Sequence, residues 1–206
     1  MQLSDDFPKG FKYLPGYFSL EEQKELVETL RYLVKEAPLF TPVMPRTGKP
    51  FSVRMTNLGV LGWVSDRNGY RYQPQHPESG QPWPEIPEVL QSLWKQVGEC
   101  EAAPEACLVN YYAATAKMGM HQDRDEKTFE APVVSVSLGD TAVFRLGGVK
   151  RGGPTQSLKL SSGDVVVLGG ESRLCHHGID RILGGSSSLL KDGGRLNLTL
   201  RRVSPF

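Results

Sequence analysis

The sequence has few cysteines and no long apolar run, and these two absences exclude several classes of protein. Its 206 residues contain three cysteines, Cys100, Cys107 and Cys175, and no two of them form a C-x-x-C pair. Such a set argues against both a disulfide framework and a structural zinc site. No stretch approaches the roughly 18 apolar residues that a membrane-spanning helix needs. The opening residues, MQLSDDFPKG, carry neither a basic leader nor a hydrophobic segment, so we expect a cytoplasmic protein.

A large charge of either sign is also lacking, since the formal net charge is +1. That total conceals a segregated pattern. Residues 45–75 carry five basic side chains against one acidic side chain, whereas residues 76–110 carry six acidic side chains against one lysine. The basic segment is therefore either a solvated loop or a local surface that faces a polyanion. A hydrophobic content of 39% and this chain length suit one globular domain with a sizeable core.

Two helices are predicted in the first half of the chain. Ser19, with Glu22 three residues later, forms a capping box, and leucines recur behind it at helical spacing, which predicts a helix over residues 20–36. A second helix is expected to begin at Pro87 and to end near Gly98. The segment between the helices is rich in proline and aromatic residues, and it is predicted to be a long irregular loop that is ordered and functional.

From about residue 105 the pattern changes to short strands. The eight candidate strands are, in order, EACLVNYY, KMGMH, PVVSVSL, AVFRLG, QSLKL, DVVVLG, SRLCHHGI and RLNLTLRRV. Several of them alternate between apolar and polar residues, as half-buried strands do. Two helices followed by evenly spaced short strands predict an α+β fold with an antiparallel sandwich or barrel.

The last candidate strand carries its polar residues on a single face. Side chains at alternate positions of a strand share one side of the sheet. The polar side chains that share this side are Arg195, Asn197, Thr199 and Arg201. The face either contacts solvent, as in many antiparallel sheets, or lies inside the protein. Two buried guanidinium groups would be costly unless anions met them, so the second alternative implies an anionic ligand.

A candidate metal site lies in the run HQDRDE. His121 and Asp123 are two residues apart and project to the same side of an extended chain, and His176 and His177 follow about fifty residues later. Two histidines and one carboxylate form the set that holds non-heme Fe(II) and leaves coordination positions open. The alternative is a loop histidine beside solvated acids. Iron sites of this type commonly use a carboxylate cosubstrate, which the two strand arginines would bind through paired, charge-assisted hydrogen bonds.

Several blocks of the chain resemble one enzyme family. They are CLVNYYAATAKMGMHQDRDE, APVVSVSLGDTAVFRLGG, GDVVVLGGESRLCHHGI and RLNLTLRR, with RMTNLGVLGWVSDRNGYRYQP and QPWPEIP upstream. Together they are similar to the AlkB family of Fe(II)/2-oxoglutarate dioxygenases, of the bacterial alkylation-repair type, over about residues 40–203. The resemblance implies a single domain. A jelly-roll core, the double-stranded β-helix, would cover residues 105–206, and N-terminal helices with a nucleotide-recognition lid would cover residues 1–104.

The resemblance also implies a set of functional residues. The expected iron ligands are His121, Asp123 and His177. Because the family pattern places Gly-Ile directly after the ligand, His177 is favoured over His176, which should then point the opposite way. The residues expected to bind 2-oxoglutarate are Asn110, Tyr112, Arg195, Asn197 and Arg201. The residues expected to contact the substrate are Met55, Trp63, Tyr70, Tyr72, Asp125 and Arg151.

The activity that the resemblance implies is oxidative demethylation of N-alkylated bases such as 1-methyladenine and 3-methylcytosine. The reaction would use Fe(II), O2 and 2-oxoglutarate and release formaldehyde, succinate and CO2. The expected partner is alkylated DNA, with RNA as a second candidate, and the protein is expected to be a monomer without membrane contact. A methylated base of this kind is cationic, which suits an aromatic wall and a nearby carboxylate. The alternatives are an Fe(II)/2-oxoglutarate hydroxylase that acts on a protein or small molecule, and a non-catalytic jelly-roll binding module.

Overall fold

The chain forms twelve β-strands and two α-helices within residues 7–206, which are the residues that the computed structural model describes. The elements are, in order, β1 (Phe11–Leu14), α1 (Leu20–Glu36), β2 (Val53–Gly59), β3 (Gly62–Asp66), β4 (Gly69–Gln73), α2 (Glu88–Val97), β5 (Ala106–Tyr112), β6 (Met118–His121), β7 (Val133–Gly139), β8 (Thr141–Leu146), β9 (Gln156–Leu160), β10 (Val165–Leu168), β11 (His177–Leu183) and β12 (Arg195–Arg201). The expectation about the opening residues rests partly on residues 1–6, which lie outside this range. Of the helices that are described, none is long and apolar enough to cross a membrane.

Two antiparallel sheets form the body of the fold. The larger has six strands in the order β1-β10-β7-β12-β5-β2, and the smaller has four in the order β6-β11-β8-β9. Strands β3 and β4 form a separate two-stranded hairpin, the β3–β4 hairpin. Apart from the consecutive pair β8 and β9, neighbouring strands in the two sheets are not consecutive in sequence, which is the crossing pattern of a jelly roll. The predicted α+β fold with a double-stranded β-helix core is therefore confirmed.

The core has two layers, one on each side of the six-stranded sheet. Between the two sheets, Phe11 of β1 stacks on Phe144 of β8 with ring centroids 6.4 Å apart. On the other side, α1 and α2 pack against the large sheet through a cluster that includes Leu30, Trp94 and Leu198. Burial of apolar surface in both layers is the main stabilising contribution to such a fold. The helices thus cover one face of the large sheet, and the small sheet covers the other.

The position of β12 decides where its polar face points. The strand lies inside the large sheet, between β7 and β5, so Leu198 and Leu200 pack toward the helices. Its other face points between the two sheets, where Arg195 is 1% exposed and Arg201 is 5% exposed. The alternative of a solvent-facing strand is therefore wrong. Two arginines are buried inside the jelly roll, and their presence there needs a chemical explanation.

The predicted helices are confirmed. Helix α1 covers the predicted residues, and its Ser19 and Glu22 form both hydrogen bonds of the capping box. Helix α2 begins after Pro87, which is its N-cap, and Gly98 is its C-cap. Cys107 and Cys175 are buried free thiols and Cys100 is partly buried, in agreement with an absence of disulfides among the described cysteines.

Two strand predictions are wrong. The segment between the helices is not irregular, because it contains β2, β3 and β4, and β2 pairs with β5 in the main sheet. Apart from the exposed Arg54, the residues from Val53 to Leu58 are buried on both faces of β2, so a regular alternation does not mark the strand and its pairing with a distant strand defines it. The candidate SRLCHHGI is a strand only from His177 onward. The first residue of this candidate, Ser172, is the last residue of a 3₁₀ turn over Gly170–Ser172. That turn begins at Gly170, whose φ of +51° lies in the left-handed region.

Candidate active site

The three predicted metal-ligating residues meet at one end of the small sheet. His121 is the last residue of β6 and His177 is the first residue of β11, and antiparallel pairing places the two opposite each other. Asp123 follows two residues after β6. The potential ligand atoms of the three residues all lie within 4.8 Å of one another. His176 points away from them, with its Nδ1 atom 3.2 Å from the carbonyl oxygen of Gly148.

Hydrogen bonds orient both imidazoles with one nitrogen toward this centre. The Nδ1 atom of His121 lies 2.9 Å from the carbonyl oxygen of Gly119, and that of His177 lies 3.1 Å from the carbonyl oxygen of Cys175. Because a carbonyl oxygen only accepts, each Nδ1 donates and each Nε2 keeps its lone pair. These Nε2 atoms lie 3.7 Å and 3.9 Å from the carboxylate oxygens of Asp123. The arrangement is that of metal-binding histidines with a backbone partner on the outer nitrogen.

The charges in the centre also suit a cation. Burial by itself would raise the pKa of Asp123, but Arg201 and the two imidazoles outweigh it and hold that pKa below its ordinary value. Burial, with a further contribution from His121, lowers the pKa of His177 to about 4. Near neutral pH the site therefore presents an ionised carboxylate and neutral imidazole. Neutral imidazole and carboxylate are the forms that bind a metal ion.

Arg201 of β12 contacts the carboxylate of Asp123. Its Nε and Nη2 atoms donate to Asp123 Oδ2 at 3.2 Å and 2.9 Å. Its third nitrogen, Nη1, is buried without a hydrogen-bond partner among residues 7–206. The side chain therefore fixes the orientation of Asp123 and still has one donor free toward the space between the sheets.

Arg195 lies at the other end of the same strand face and is nearly unpaired. Its Nη2 donates to Ser137 Oγ at 3.0 Å, and its guanidinium carbon lies 5.2 Å from the centroid of the Tyr112 ring. Its Nε and Nη1 atoms have no hydrogen-bond partner in the described part of the chain, and no carboxylate there forms an ion pair with it. Burial lowers the pKa of this guanidinium, and its interaction with Tyr112 offsets that effect only in part. A carboxylate ligand would supply both the missing acceptors and the missing charge.

The amides between the two arginines complete a polar pocket. Asn197 donates to Ser135 Oγ at 2.6 Å and accepts from Asn110 at 3.5 Å. The Oδ1 atom of Asn110 is buried and has no partner among the described residues. Buried polar groups are rarely left unpaired, so free donors on Arg195 and Arg201 and a free acceptor on Asn110 indicate a polar ligand. The dicarboxylate 2-oxoglutarate fits this set, and two imidazoles with one carboxylate fit Fe(II).

The β3–β4 hairpin lies beside the segment that follows Asp123. Trp63 Nε1 donates to Asp125 Oδ2 at 2.8 Å, and the Trp63 ring stacks on Tyr70 with centroids 5.6 Å apart and planes 18° apart. Tyr72, the cross-strand partner of Trp63, donates to Glu126 at 2.5 Å. The structure thus brings the predicted residues Trp63, Tyr70 and Asp125 together.

Three other predicted substrate residues are placed differently. Met55 is fully buried in the cluster between the sheets, against which Trp63 also packs. The pKa of the Tyr72 phenol stands well above its ordinary value, mainly because the group is buried, and the carboxylates of Glu126 and Asp123 raise this pKa further. The phenol therefore stays protonated and donates its hydrogen bond. Arg151 is exposed in the β8–β9 connection and forms no hydrogen bond or ion pair with the described residues.

Sequence reasoning did not identify two buried residues next to the metal centre. Glu126 and Arg173 form an ion pair of 3.1 Å, and each side chain is only 2% exposed. Glu126 stands in the acidic run HQDRDE, so its proximity to Asp123 was a signal that could have pointed to it. Arg173 is an isolated basic residue in a turn, and no sequence pattern marks it.

Comparison with known proteins places these features in a family. Residues 10–201 match the family model described as the 2OG-Fe(II) oxygenase superfamily. The chain is 55% identical over 194 residues to the alpha-ketoglutarate-dependent dioxygenase AlkB homolog of Caulobacter vibrioides, over 94% of this chain and 88% of that protein. It is 42% identical over 190 residues to the alpha-ketoglutarate-dependent dioxygenase AlkB of Escherichia coli, over 90% of this chain and 87% of that protein. The solved structure of OsALKBH1 matches with a TM-score of 0.81 at 31% identity, over 95% and 99% of the two chains.

Proposed function

Because the chain belongs to the bacterial AlkB family of the 2OG-Fe(II) oxygenase superfamily, we propose that it repairs N-alkylated bases in DNA by oxidative demethylation. The observation that carries this proposal is the convergence of His121, Asp123 and His177 in a fold that also buries Arg195, on the same face of β12 as Arg201, without a carboxylate partner among the described residues. A metal-binding set alone would serve many reactions. Its combination with an uncompensated guanidinium fits a metal-dependent enzyme that takes a dicarboxylate cosubstrate.

The metal and the cosubstrate would be held by different parts of the fold. His121, Asp123 and His177 would hold Fe(II) on one face and leave the remaining positions open. Arg195 would pair with one carboxylate of 2-oxoglutarate, and Arg201 would meet its other end while it holds Asp123. The residues that would complete the cosubstrate pocket are Asn110, Tyr112 and Asn197.

Iron with 2-oxoglutarate supplies the oxidising chemistry when both are bound. The overall reaction would consume O2 and 2-oxoglutarate, release succinate and CO2, and hydroxylate the N-methyl group of the base. The hydroxymethyl group would then leave the cationic base as formaldehyde with loss of a proton, which would restore the unmodified base. The protein contributes by holding the base close to the metal in one orientation and by keeping water away from it.

The β3–β4 hairpin would hold the methylated base. A base methylated at a pairing nitrogen cannot form Watson–Crick pairs, so its removal from a duplex costs less. It is also cationic, and the stacked rings of Trp63 and Tyr70 offer a π face to it. Asp125 uses one oxygen for Trp63, which leaves the other free to accept from an exocyclic amine. Both 1-methyladenine and 3-methylcytosine carry such an amine, so we propose these as substrates.

Other members of the predicted substrate set and the partners are also part of the proposal. Met55 would support the aromatic wall from below, and Arg151, on an exposed connection, would contact the phosphate backbone. The proposed partner is alkylated DNA, with RNA as a second substrate, and the protein would act as a monomer in the cytoplasm. The division into an N-terminal recognition part and a core from residue 105 stays a prediction.

The proposed function is tested by coupled product release. With Fe(II), O2 and 2-oxoglutarate, an oligonucleotide that contains 1-methyladenine or 3-methylcytosine is expected to yield formaldehyde and succinate in equal amounts. The matching unmethylated oligonucleotide should yield neither above background. Equal succinate release with both oligonucleotides would overturn the proposal and favour the alternative hydroxylase of a protein or small molecule.

A second prediction concerns the carboxylate that faces the base. Asp125→Ala is expected to lower kcat/KM for a methylated oligonucleotide about tenfold to a hundredfold, because a charge-assisted hydrogen bond and an attraction to a cation are lost. Metal affinity should stay unchanged, since Asp125 is exposed and lies outside the ligand set. Asp180→Ala, which removes an exposed carboxylate on β11, is the matched control. Parallel loss of metal affinity and turnover in Asp125→Ala would contradict its substrate role.

A further inference from the structure

The ion pair of Glu126 and Arg173 has no part in the reaction as proposed, although it lies next to the metal-ligating residues. Arg173 donates to the backbone carbonyl oxygens of Asp123 and Ala131, at 2.7 Å and 2.9 Å, and to Glu126 Oε2 at 3.1 Å. A buried ion pair with these additional hydrogen bonds is costly to break. Arg173 therefore stabilises the backbone of the segment that carries Asp123, and it also fixes the position of the Glu126 carboxylate.

The second oxygen of Glu126 lies between two competing donors. The Tyr72 hydroxyl donates to Glu126 Oε1 at 2.5 Å, and Arg201 Nε lies 3.5 Å from the same oxygen. That Nε atom is also 3.2 Å from Asp123 Oδ2, and Arg201 Nη2 is 2.9 Å from it. Arg201 thus stands between two buried carboxylates and makes its shorter contacts with Asp123. The Tyr72 hydroxyl donates to the Glu126 oxygen that would otherwise attract Arg201.

Tyr72 connects the position of Arg201 between Asp123 and Glu126 to the β3–β4 hairpin, which would hold the methylated base. Trp63 and Tyr72 are cross-strand partners, and they donate to the consecutive residues Asp125 and Glu126. The hairpin therefore contacts the segment after Asp123 through two adjacent hydrogen bonds. One of these bonds lies at the mouth of the site, on an exposed carboxylate, and the other reaches a buried one.

We propose that Tyr72 and Glu126 are positioning residues. They keep Arg201 in contact with the carboxylate of Asp123 and available to bind 2-oxoglutarate. With the hairpin in place, the Tyr72 hydroxyl satisfies Glu126 and leaves Arg201 to Asp123 and 2-oxoglutarate. Without that hydroxyl, Glu126 draws Arg201 away from both. The inference rests on the proposed function, because it makes the element that holds the methylated base also control the affinity for 2-oxoglutarate.

The test measures the binding of 2-oxoglutarate to the 206-residue chain loaded with Mn(II), by anaerobic calorimetry and without DNA. Tyr72→Phe is expected to weaken 2-oxoglutarate binding about tenfold, as an energetic coupling through one intermediate residue would. Tyr13→Phe is the matched control, because it removes a similar 2.8 Å hydrogen bond from a tyrosine to the carboxylate of Asp164, away from the metal centre. The control should stay within about twofold of the wild type.

A double-mutant cycle separates positioning from a general loss of structure. In a Glu126→Gln background, Tyr72→Phe should change 2-oxoglutarate affinity by less than about twofold, because residue 126 then has no carboxylate to compete with Asp123 for Arg201. Wild-type affinity in Tyr72→Phe, or additive effects in the cycle, would overturn the proposal. If Glu126→Gln does not fold, the comparison of Tyr72→Phe with Tyr13→Phe decides alone. Because no DNA is present, a failure here is distinct from a failure to demethylate.

Discussion

Arg195→Met is expected to raise the KM for 2-oxoglutarate about a hundredfold, because two unmet donors of a buried guanidinium would each lose a charged acceptor worth about 1.5 kcal/mol. Metal affinity should not change, since Arg195 makes no contact with His121, Asp123 or His177. The same substitution should also raise the melting temperature of the ligand-free protein. It replaces a buried, unpaired charge with an apolar side chain of similar length.

This prediction is checked by steady-state kinetics with varied 2-oxoglutarate and by thermal unfolding with and without the cosubstrate. The wild type should be stabilised by added 2-oxoglutarate in the presence of Mn(II), and Arg195→Met should not be. Arg181→Met, which removes an exposed arginine from β11, is the matched control for the loss of a positive charge. An unchanged KM together with a lower melting temperature would show that Arg195 has a structural role instead.

His177→Ala is expected to reduce turnover by about three orders of magnitude, because the metal contributes several kcal/mol to the reaction and loses one of three ligands. Its neighbour offers an unusually close control. His176→Ala removes an imidazole one residue away that points to Gly148 instead of to the metal centre, and it should retain metal binding and most of the activity. Anaerobic calorimetry with Mn(II) measures the affinity of each variant.

Comparison of the His176→Ala and His177→Ala variants identifies which of the two adjacent imidazoles binds the metal. Loss of Mn(II) affinity in His176→Ala with retention in His177→Ala would exchange the two assignments. Retention in both variants would mean that the metal is held elsewhere. The structure favours His177, whose ring centroid lies 4.6 Å from that of His121 and whose Nε2 faces Asp123.

The features that could be predicted from sequence are those written in local patterns. The capping box of Ser19 and Glu22 marks the start of α1, and alternating residues mark β7 and β12. The spacing of His121 and Asp123 and the run RLNLTLRR pointed to a metal and to a carboxylate ligand, and similar blocks indicated the family. In each case residues close in sequence share one face or one turn, so the physical constraint acts on neighbours.

The features that sequence reasoning missed depend on distant pairing. Strand β2 is buried on both faces from Met55 to Leu58 and is defined by its hydrogen bonds to β5, about fifty residues later, so no regular local alternation marks it. The same holds for Arg173, whose partners Asp123, Glu126 and Ala131 come from a separate segment of the chain. A turn residue that is buried because of such contacts looks like any surface arginine in the sequence.

The sequence by itself determined the chemistry that is present: two imidazoles and a carboxylate, two arginines on one strand face, and aromatic residues in a basic segment. Only the tertiary structure decided how they are used. It buried the polar face of β12, pointed His177 inward and His176 outward, and left Arg195 without a carboxylate partner among the described residues while Arg201 bound Asp123. The physical reason is that donors, acceptors and charges in a dry interior must be matched in three dimensions, and their matching depends on which distant strands lie side by side.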